Sequence, residues 1–248
     1  MKPLLHPYSV LFFRLFIFIS INIPTSLCTN HSQYRNCSNS FSCGNSVSEL
    51  KYPFWGGNRN RYCGKPNLEL KCEGSVPKIT INSIKYRVLL WDSTTQTLIL
   101  ARDDYWDNIC VSDIKNNTFD NTPFQYNGAL ENVTLFYDCA SSPNLPDMFE
   151  VNCSAGKIVY YVLGFSYSLF CTNVVFPIFA TQASFVSGNR SINYALDVGF
   201  GLKWMGNYEE CNTCIASLGE CGFDDGGFIC FCKDGPRSTS CASQTSRM

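Results

Sequence analysis

The densest concentration of ligand-recognising side chains lies between Lys51 and Lys65. This segment holds Lys51, Arg59, Arg61 and Lys65, no acidic residue, and the aromatics Tyr52, Phe54, Trp55 and Tyr62. Cationic donors pair with carboxylates, and aromatic rings pack on apolar ring faces, so the pattern suits an acidic saccharide. Gly56-Gly57-Asn58 adds a turn signal in its middle. The candidate contacts are Lys51, Tyr52, Trp55, Arg59, Arg61, Tyr62 and Lys65. The same residues also fit a plainer arrangement, with Tyr52, Phe54 and Trp55 in a core beside a half-cystine and the cations on a solvated face. Composition alone leaves both arrangements open.

Catalytic chemistry finds little foothold. The sequence has two histidines, His6 and His31, and both lie close to the N-terminus, so no serine or cysteine triad is expected. The carboxylate pairs Asp103-Asp104 and Asp224-Asp225 are adjacent residues, which on a strand point to opposite faces and do not flank one bond. They read as turns. Cys211-x2-Cys214 has zinc-like spacing, but an exported chain oxidises such thiols. No catalytic residue, metal or cofactor is expected.

Export itself is read from the first 28 residues. Lys2 and Arg14 precede the short apolar run Leu15 to Ile23, and Ser26 and Cys28 stand at small-residue positions for a cut after Cys28. That run is under-length for a bilayer span. Of the 15 cysteines, removal of Cys28 leaves 14, an even number suited to complete pairing. Sequons at Asn30, Asn36, Asn116, Asn132, Asn152 and Asn189 mark a secreted glycoprotein. Without Lys2 and Arg14 the 19 basic residues fall to 17 against 20 acidic ones, a balance that argues against nucleic acid as partner.

The elements needed to position these groups read as strands. Lys78 to Asn82 alternates around Ile79 and Ile81, and Tyr86 to Trp91 and Thr97 to Arg102 flank a hairpin loop at Asp92 to Gln96. Val133 to Tyr137 continues the pattern, and Phe200, Leu202 and Trp204 share one face at period two. Ile158 to Asn189 carries no charge but is broken by Gly164, Cys171 and Pro177, and reads as buried strands rather than a membrane span. The expected class is mainly β, with two disulfide-rich domains. Parity sharpens this. Cys37, Cys43, Cys63, Cys72 and Cys110 form an odd block, as do Cys139, Cys153 and Cys171. If Cys211, Cys214, Cys221, Cys230, Cys232 and Cys241 pair among themselves, at least one bond must join the first two blocks.

Several ordered motifs carry a family resemblance. Phe41-Ser42-Cys43-Gly44, Tyr52-Pro53-Phe54, Cys63-Gly64-Lys65-Pro66 and Leu68-Glu69-Leu70-Lys71-Cys72 resemble the galacturonan-binding domain of plant wall-associated kinases and leaf-rust-resistance receptor-like kinases. Val133-Thr134-Leu135-Phe136-Tyr137-Asp138-Cys139, Gly199-Phe200-Gly201-Leu202-Lys203-Trp204, Cys211-Asn212-Thr213-Cys214, Gly219-Glu220-Cys221-Gly222 and Phe228-Ile229-Cys230-Phe231-Cys232-Lys233-Asp234-Gly235 resemble the C-terminal domain that follows it. The implied organisation is a signal peptide over 1–28, a galacturonan-binding-type domain over 29–112, a C-terminal-type domain over 113–241 and a disordered tail over 242–248.

With the resemblance, the basic aromatic segment is expected to bind acidic cell-wall polysaccharide, namely pectin or oligogalacturonides, in the cell wall. The alternative is a protein-interaction ectodomain or soluble decoy that engages a receptor-like kinase or a microbial protein. The family usually continues into a transmembrane helix and a serine/threonine kinase. No glycine-rich nucleotide loop or His-Arg-Asp segment occurs here, so kinase activity is not expected, and membrane attachment is expected only of a longer form. The final cysteines resemble an epidermal-growth-factor-type module, which implies Cys211–Cys221, Cys214–Cys230 and Cys232–Cys241 among 15 possible pairings.

Overall fold

The computed structural model describes residues 31–44, 47–168, 170–186, 191–206 and 208–241. The expected leader, the sequons at Asn30 and Asn189 and the tail over 242–248 lie outside the described residues. In chain order the strands are β1 (Phe41–Cys43), β2 (Val47–Leu50), β3 (Leu70–Glu73), β4 (Val76–Ile81), β5 (Ile84–Asp92), β6 (Thr97–Arg102), β7 (Phe124–Asn127), β8 (Leu130–Tyr137), β9 (Phe149–Asn152), β10 (Ile158–Leu163), β11 (Thr172–Phe179), β12 (Phe200–Trp204), β13 (Glu220–Asp224), β14 (Gly227–Cys232) and β15 (Gly235–Arg237). Short helices α1 (Ser32–Ser38), α2 (Ala180–Val186), α3 (Ile192–Val198) and α4 (Tyr208–Ala216) are interspersed. No helix among the described residues is long and apolar enough to cross a membrane.

The larger sheet runs β3-β4-β5-β6-β12-β7, with every neighbouring pair antiparallel. Its period-two strands point Leu70, Ile79, Ile81, Tyr86, Val88, Leu98 and Leu100 inward, where they pack with Phe41, Leu50, Phe54, Phe200 and Trp204. Trp204 lies edge-on to Phe54 at 5.4 Å and stacks on Trp91 at 5.7 Å. The expected hairpin between β5 and β6 is present. Asp92 Oδ1 accepts the Thr94 amide at 2.8 Å, an Asx turn that closes it. On the opposite face, the same register sets Lys71 across from Lys78, and Lys78 across from Arg87.

Strands β7 and β12 join this sheet from beyond residue 112, so the sheet draws on both sides of the boundary expected at 112/113. A second sheet, β11-β8-β10-β9, packs Val133, Leu135, Tyr137, Phe176 and Ile178 against Val186 of α2 and Ile192, Ala195 and Leu196 of α3. Its inner strand β8 is buried without interruption from Val133 to Tyr137, as strands covered on both faces are. The uncharged run from Ile158 forms β10 and β11, but it then turns into helix at Ala180, which strand-like composition did not indicate. Its loop also leaves Phe165, Tyr167 and Phe170 exposed at 74%, 65% and 61%.

A small sheet, β13-β14-β15, and helix α4 form the cysteine-rich end. Its bonds are Cys211–Cys221, Cys214–Cys230 and Cys232–Cys241. Gly219 sits over this sulfur cluster so closely that a Cβ there would stand 2.4 Å from Cys230 Sγ. Cys37–Cys63 ties α1 to the 3-10 turn Arg61–Cys63, Cys43–Cys72 staples β1 to β3 of the larger sheet, and Cys139–Cys171 closes the aromatic loop. Cys110–Cys153 joins the first and second blocks, as parity requires.

That bond closes a separation of 43 residues, which in the chain-entropy account contributes about 4 kcal/mol. Replacement of both Cys110 and Cys153 by Ser is expected to lower the free energy of denaturant unfolding by roughly that amount. The other six bonds are expected to stay intact by peptide mapping.

Candidate functional site

The segment from Lys51 to Lys65 does not present all its cations and rings to one ligand. Arg59, expected as a carboxylate-binding cation, is only 2% exposed. Its guanidinium donates to the carbonyls of Cys37 at 2.7 Å, Cys63 at 3.0 Å, Phe54 at 3.4 Å and Asn39. Burial pushes its pKa down to about 10, partly countered by Glu220, so it remains a cation at neutral pH. The charge is spent on backbone carbonyls, and the ligand role expected of Arg59 is corrected accordingly.

Tyr52 and Tyr62, expected as stacking platforms, hold the cysteine-rich end instead. Tyr52 is buried among Cys211, Cys214 and Cys221, edge-on to Phe228 at 5.8 Å. Tyr62 meets Phe231 edge-on at 5.7 Å, and its hydroxyl accepts from Asn36 Nδ2 at 2.6 Å and Asn60 Nδ2 at 2.7 Å. Lys51 reaches Glu220 of β13 at 3.5 Å. Lys65 extends towards Gly206, and burial lowers its pKa with Glu210 opposing. These four residues therefore serve contacts within the fold.

Trp55 and Arg61 do meet in one place. Both line a groove of about 570 Å³ along the solvent face of β3, β4 and β5. The Trp55 backbone is locked beside β3, donating to Leu68 O at 3.3 Å and accepting from Leu70 N at 2.7 Å. Its indole Nε1 donates to Lys65 O at 2.8 Å, which fixes the half-exposed ring. The next residue must be glycine, because Gly56 has φ 129° and a Cβ there would lie 2.0 Å from Leu70 O. Arg61 begins a short 3-10 turn to Cys63 and is exposed. Among the described residues its guanidinium has no ion-pair or hydrogen-bond partner, which leaves it available to a ligand.

The groove adds three cations that motif reading missed, Lys71, Lys78 and Lys85, beside Glu69 and Glu73. Strand alternation held the signal: with Leu70, Ile79 and Tyr86 inward, the neighbouring Lys71, Lys78 and Lys85 must face out. Their pairing is uneven. Lys71 stands 3.9 Å from Glu69, a loose exposed contact. Lys85 donates to both Glu73 oxygens at 3.0 Å, and Lys78 lies 3.2 Å from Glu73 and 2.8 Å from Asp103. Hydrogen bonds from Lys85 and Lys78 hold the Glu73 carboxyl below its ordinary range, so it stays ionised into mild acid.

The remaining expected groups are placed as follows. Asp103 faces the outer cations Lys78 and Arg87, whereas Asp104 pairs with the buried Arg102, so the adjacent carboxylates do serve opposite sides. Both are engaged in ion pairs, and Asp104 is also exposed in the turn after β6, as expected of a solvated turn. Asp224 Oδ1 accepts the Gly226 amide in the turn after β13. Asn132 and Asn152 are exposed. The amides of Asn36 and Asn116 already donate, to Tyr62 OH and to Asn173 O.

Comparison with known proteins bears on this groove. The family model for the wall-associated receptor kinase galacturonan-binding domain matches residues 37–102, and that for the wall-associated receptor kinase C-terminal domain matches 160–235. Trp55, Arg61 and all three groove lysines lie within the first match. Three curated proteins from Arabidopsis thaliana, each a leaf rust 10 disease-resistance locus receptor-like protein kinase-like protein, are similar. Form 2.1 is 29% identical over 88% of this chain and 37% of its own length. Form 2.8 is 32% identical over 82% and 25%, and form 1.4 is 32% identical over 76% and 28%. The chain thus spans about a quarter to a little over a third of these relatives' length. Both comparisons support an extracellular receptor-ectodomain role. No solved structure matches the chain.

The two arginines are expected to separate on substitution. Arg59→Ala orphans buried carbonyls and should cost at least about 3 kcal/mol, read as lost secretion or a much lower unfolding midpoint. Arg61→Ala should leave stability within about 0.5 kcal/mol of the parent.

Proposed function

From the premise that this chain carries the galacturonan-binding and C-terminal domains of the wall-associated receptor kinase type, we propose that it binds acidic cell-wall polysaccharide, namely pectin or its oligogalacturonides, as a receptor-like ectodomain. The observation that supports this most is the groove on β3, β4 and β5. It sets four cations, Arg61, Lys71, Lys78 and Lys85, against two carboxylates, with Trp55 at its side. A polyuronate offers one carboxylate per sugar and an apolar ring face between them. Arg61 and Lys71 are the cations with least internal pairing, so they make the first contacts, while Trp55 packs on a sugar face. Nothing in this role requires bond making. Among the described residues the groove is lined by no histidine and by no nucleophile paired with a base.

A second reading, a protein-interaction ectodomain, is favoured by the loop between β10 and β11. Phe165, Tyr167 and Phe170 stand out from a loop fixed by Thr134, which donates to Gly164 O at 2.8 Å and accepts from Ser166 N at 3.0 Å. No charge occurs from Ile158 to Asn189, so this surface suits an apolar protein face rather than a polyanion. Conversion of all three aromatics to Ser should abolish capture of a protein partner and leave polysaccharide binding unchanged. Loss of polysaccharide binding instead would place the ligand on this loop.

The principal reading is tested with purified mature protein and polygalacturonate. Binding should weaken as salt rises from 0.05 to about 0.5 M, over which the Debye length falls severalfold. Arg61→Glu with Lys71→Glu should reduce affinity at least about tenfold in a well-folded protein, and Trp55→Ala about three- to tenfold. Binding indifferent to salt and to all three substitutions would remove the groove from consideration.

A further inference from the structure

The groove cations fall into two classes, and Glu73 makes the division. Glu73 closes β3, and its carboxylate accepts from Lys85 through both oxygens at 3.0 Å while lying 3.2 Å from Lys78. Arg61 has no such partner among the described residues, and Lys71 has only Glu69 at 3.9 Å. We propose that Glu73 is a specificity-determining residue of this groove: its carboxylate occupies Lys85, and shares Lys78 with Asp103, where a second ligand carboxylate must bind, so that only a linked run of uronates displaces it. This rests on the polyuronate reading of the groove given above.

The argument is one of effective concentration. Glu73 is tethered beside Lys78 and Lys85, and a tethered group competes at a local concentration in the millimolar range or above. A free uronic acid gains little by exchanging one carboxylate for another against that competitor. A polymer already held at Arg61 and Lys71 presents its next carboxylates under the same tethering, so the exchange becomes an even contest. Glu73 thereby closes the Lys85 end of the groove to single acids, which stay at Arg61 and Lys71, and opens it only to polymers that displace it; it stays ionised in mild acid because the two lysines hold its carboxyl below the ordinary range.

Galacturonic acid and polygalacturonate are titrated, at one ionic strength, against the unsubstituted chain and the variants Glu73→Gln, Glu73→Asp and Glu69→Gln. Glu73→Gln is expected to raise affinity for the polymer, whose bound state displaces Glu73, about fivefold, and for the monomer, which binds first at Arg61 and Lys71, less than about twofold, so that the polymer-to-monomer preference rises. Glu73→Asp keeps the charge but withdraws it from the lysines, and should shift the preference in the same direction. Glu69→Gln changes net charge equally without releasing Lys85, and should move both ligands alike. An unchanged preference in Glu73→Gln, or an equal change in Glu69→Gln, overturns the proposal. Absence of polygalacturonate binding by the unsubstituted chain overturns it together with the groove reading.

Discussion

One buried guanidinium organises the front of this molecule. Arg59 donates to carbonyls of Cys37, Asn39, Phe54 and Cys63, residues spread over α1, the link to β1, the Tyr-Pro-Phe turn and the 3-10 turn. A cation withdrawn from water is costly unless all its donors find acceptors, so these irregular segments are held together about a single point. Cys37–Cys63 ties two of them covalently. The groove inherits this order, because Trp55 and Arg61 leave the Arg59 site in opposite directions along the chain and meet again on its rim.

A second buried arginine does comparable work between the sheets. Arg102, at the end of β6, pairs with Asp104, donates to Lys115 O at 2.5 Å and lies over the rings of Tyr105 and Phe176 at 4.7 and 5.4 Å. Phe176 belongs to β11, so this one side chain bonds the loop after β6 of the larger sheet while touching the core of the smaller one. Cys110–Cys153 acts across the same junction. With β7 and β12 completing the larger sheet from the second half of the chain, the two matched domains share their framework rather than standing apart.

The cysteine-rich end is likewise attached through residues that look like binding residues in isolation. Tyr52 against Phe228, Tyr62 against Phe231 and Lys51 against Glu220 form the seam. A small disulfide module has too little apolar surface to bury by itself, and borrowing aromatics from a neighbour supplies it. The groove therefore lies along the outer face of three regular strands rather than across the motif-rich segment, and there the register sets Lys71 directly opposite Lys78 at the strand separation of ~4.8 Å.

The β class, the β5–β6 hairpin and, given a third cysteine block that pairs within itself, a bond between the first two blocks follow from local pattern, because period-two alternation, turn residues and parity are properties of the chain read in order. The outward direction of Lys71, Lys78 and Lys85 was present in the same alternation, one residue away from each inward Leu70, Ile79 and Tyr86. What the sequence left open was how the cations and rings between Lys51 and Lys65 divide between core and solvent. That division depends on partners far along the chain: Tyr52 and Tyr62 turn inward because Phe228 and Phe231 arrive from some 170 residues away. Arg59 turns inward because four carbonyls converge on it, whereas Arg61, two residues later, meets none among the described residues. Burial is set by what packs against a side chain, and only the tertiary structure decides that.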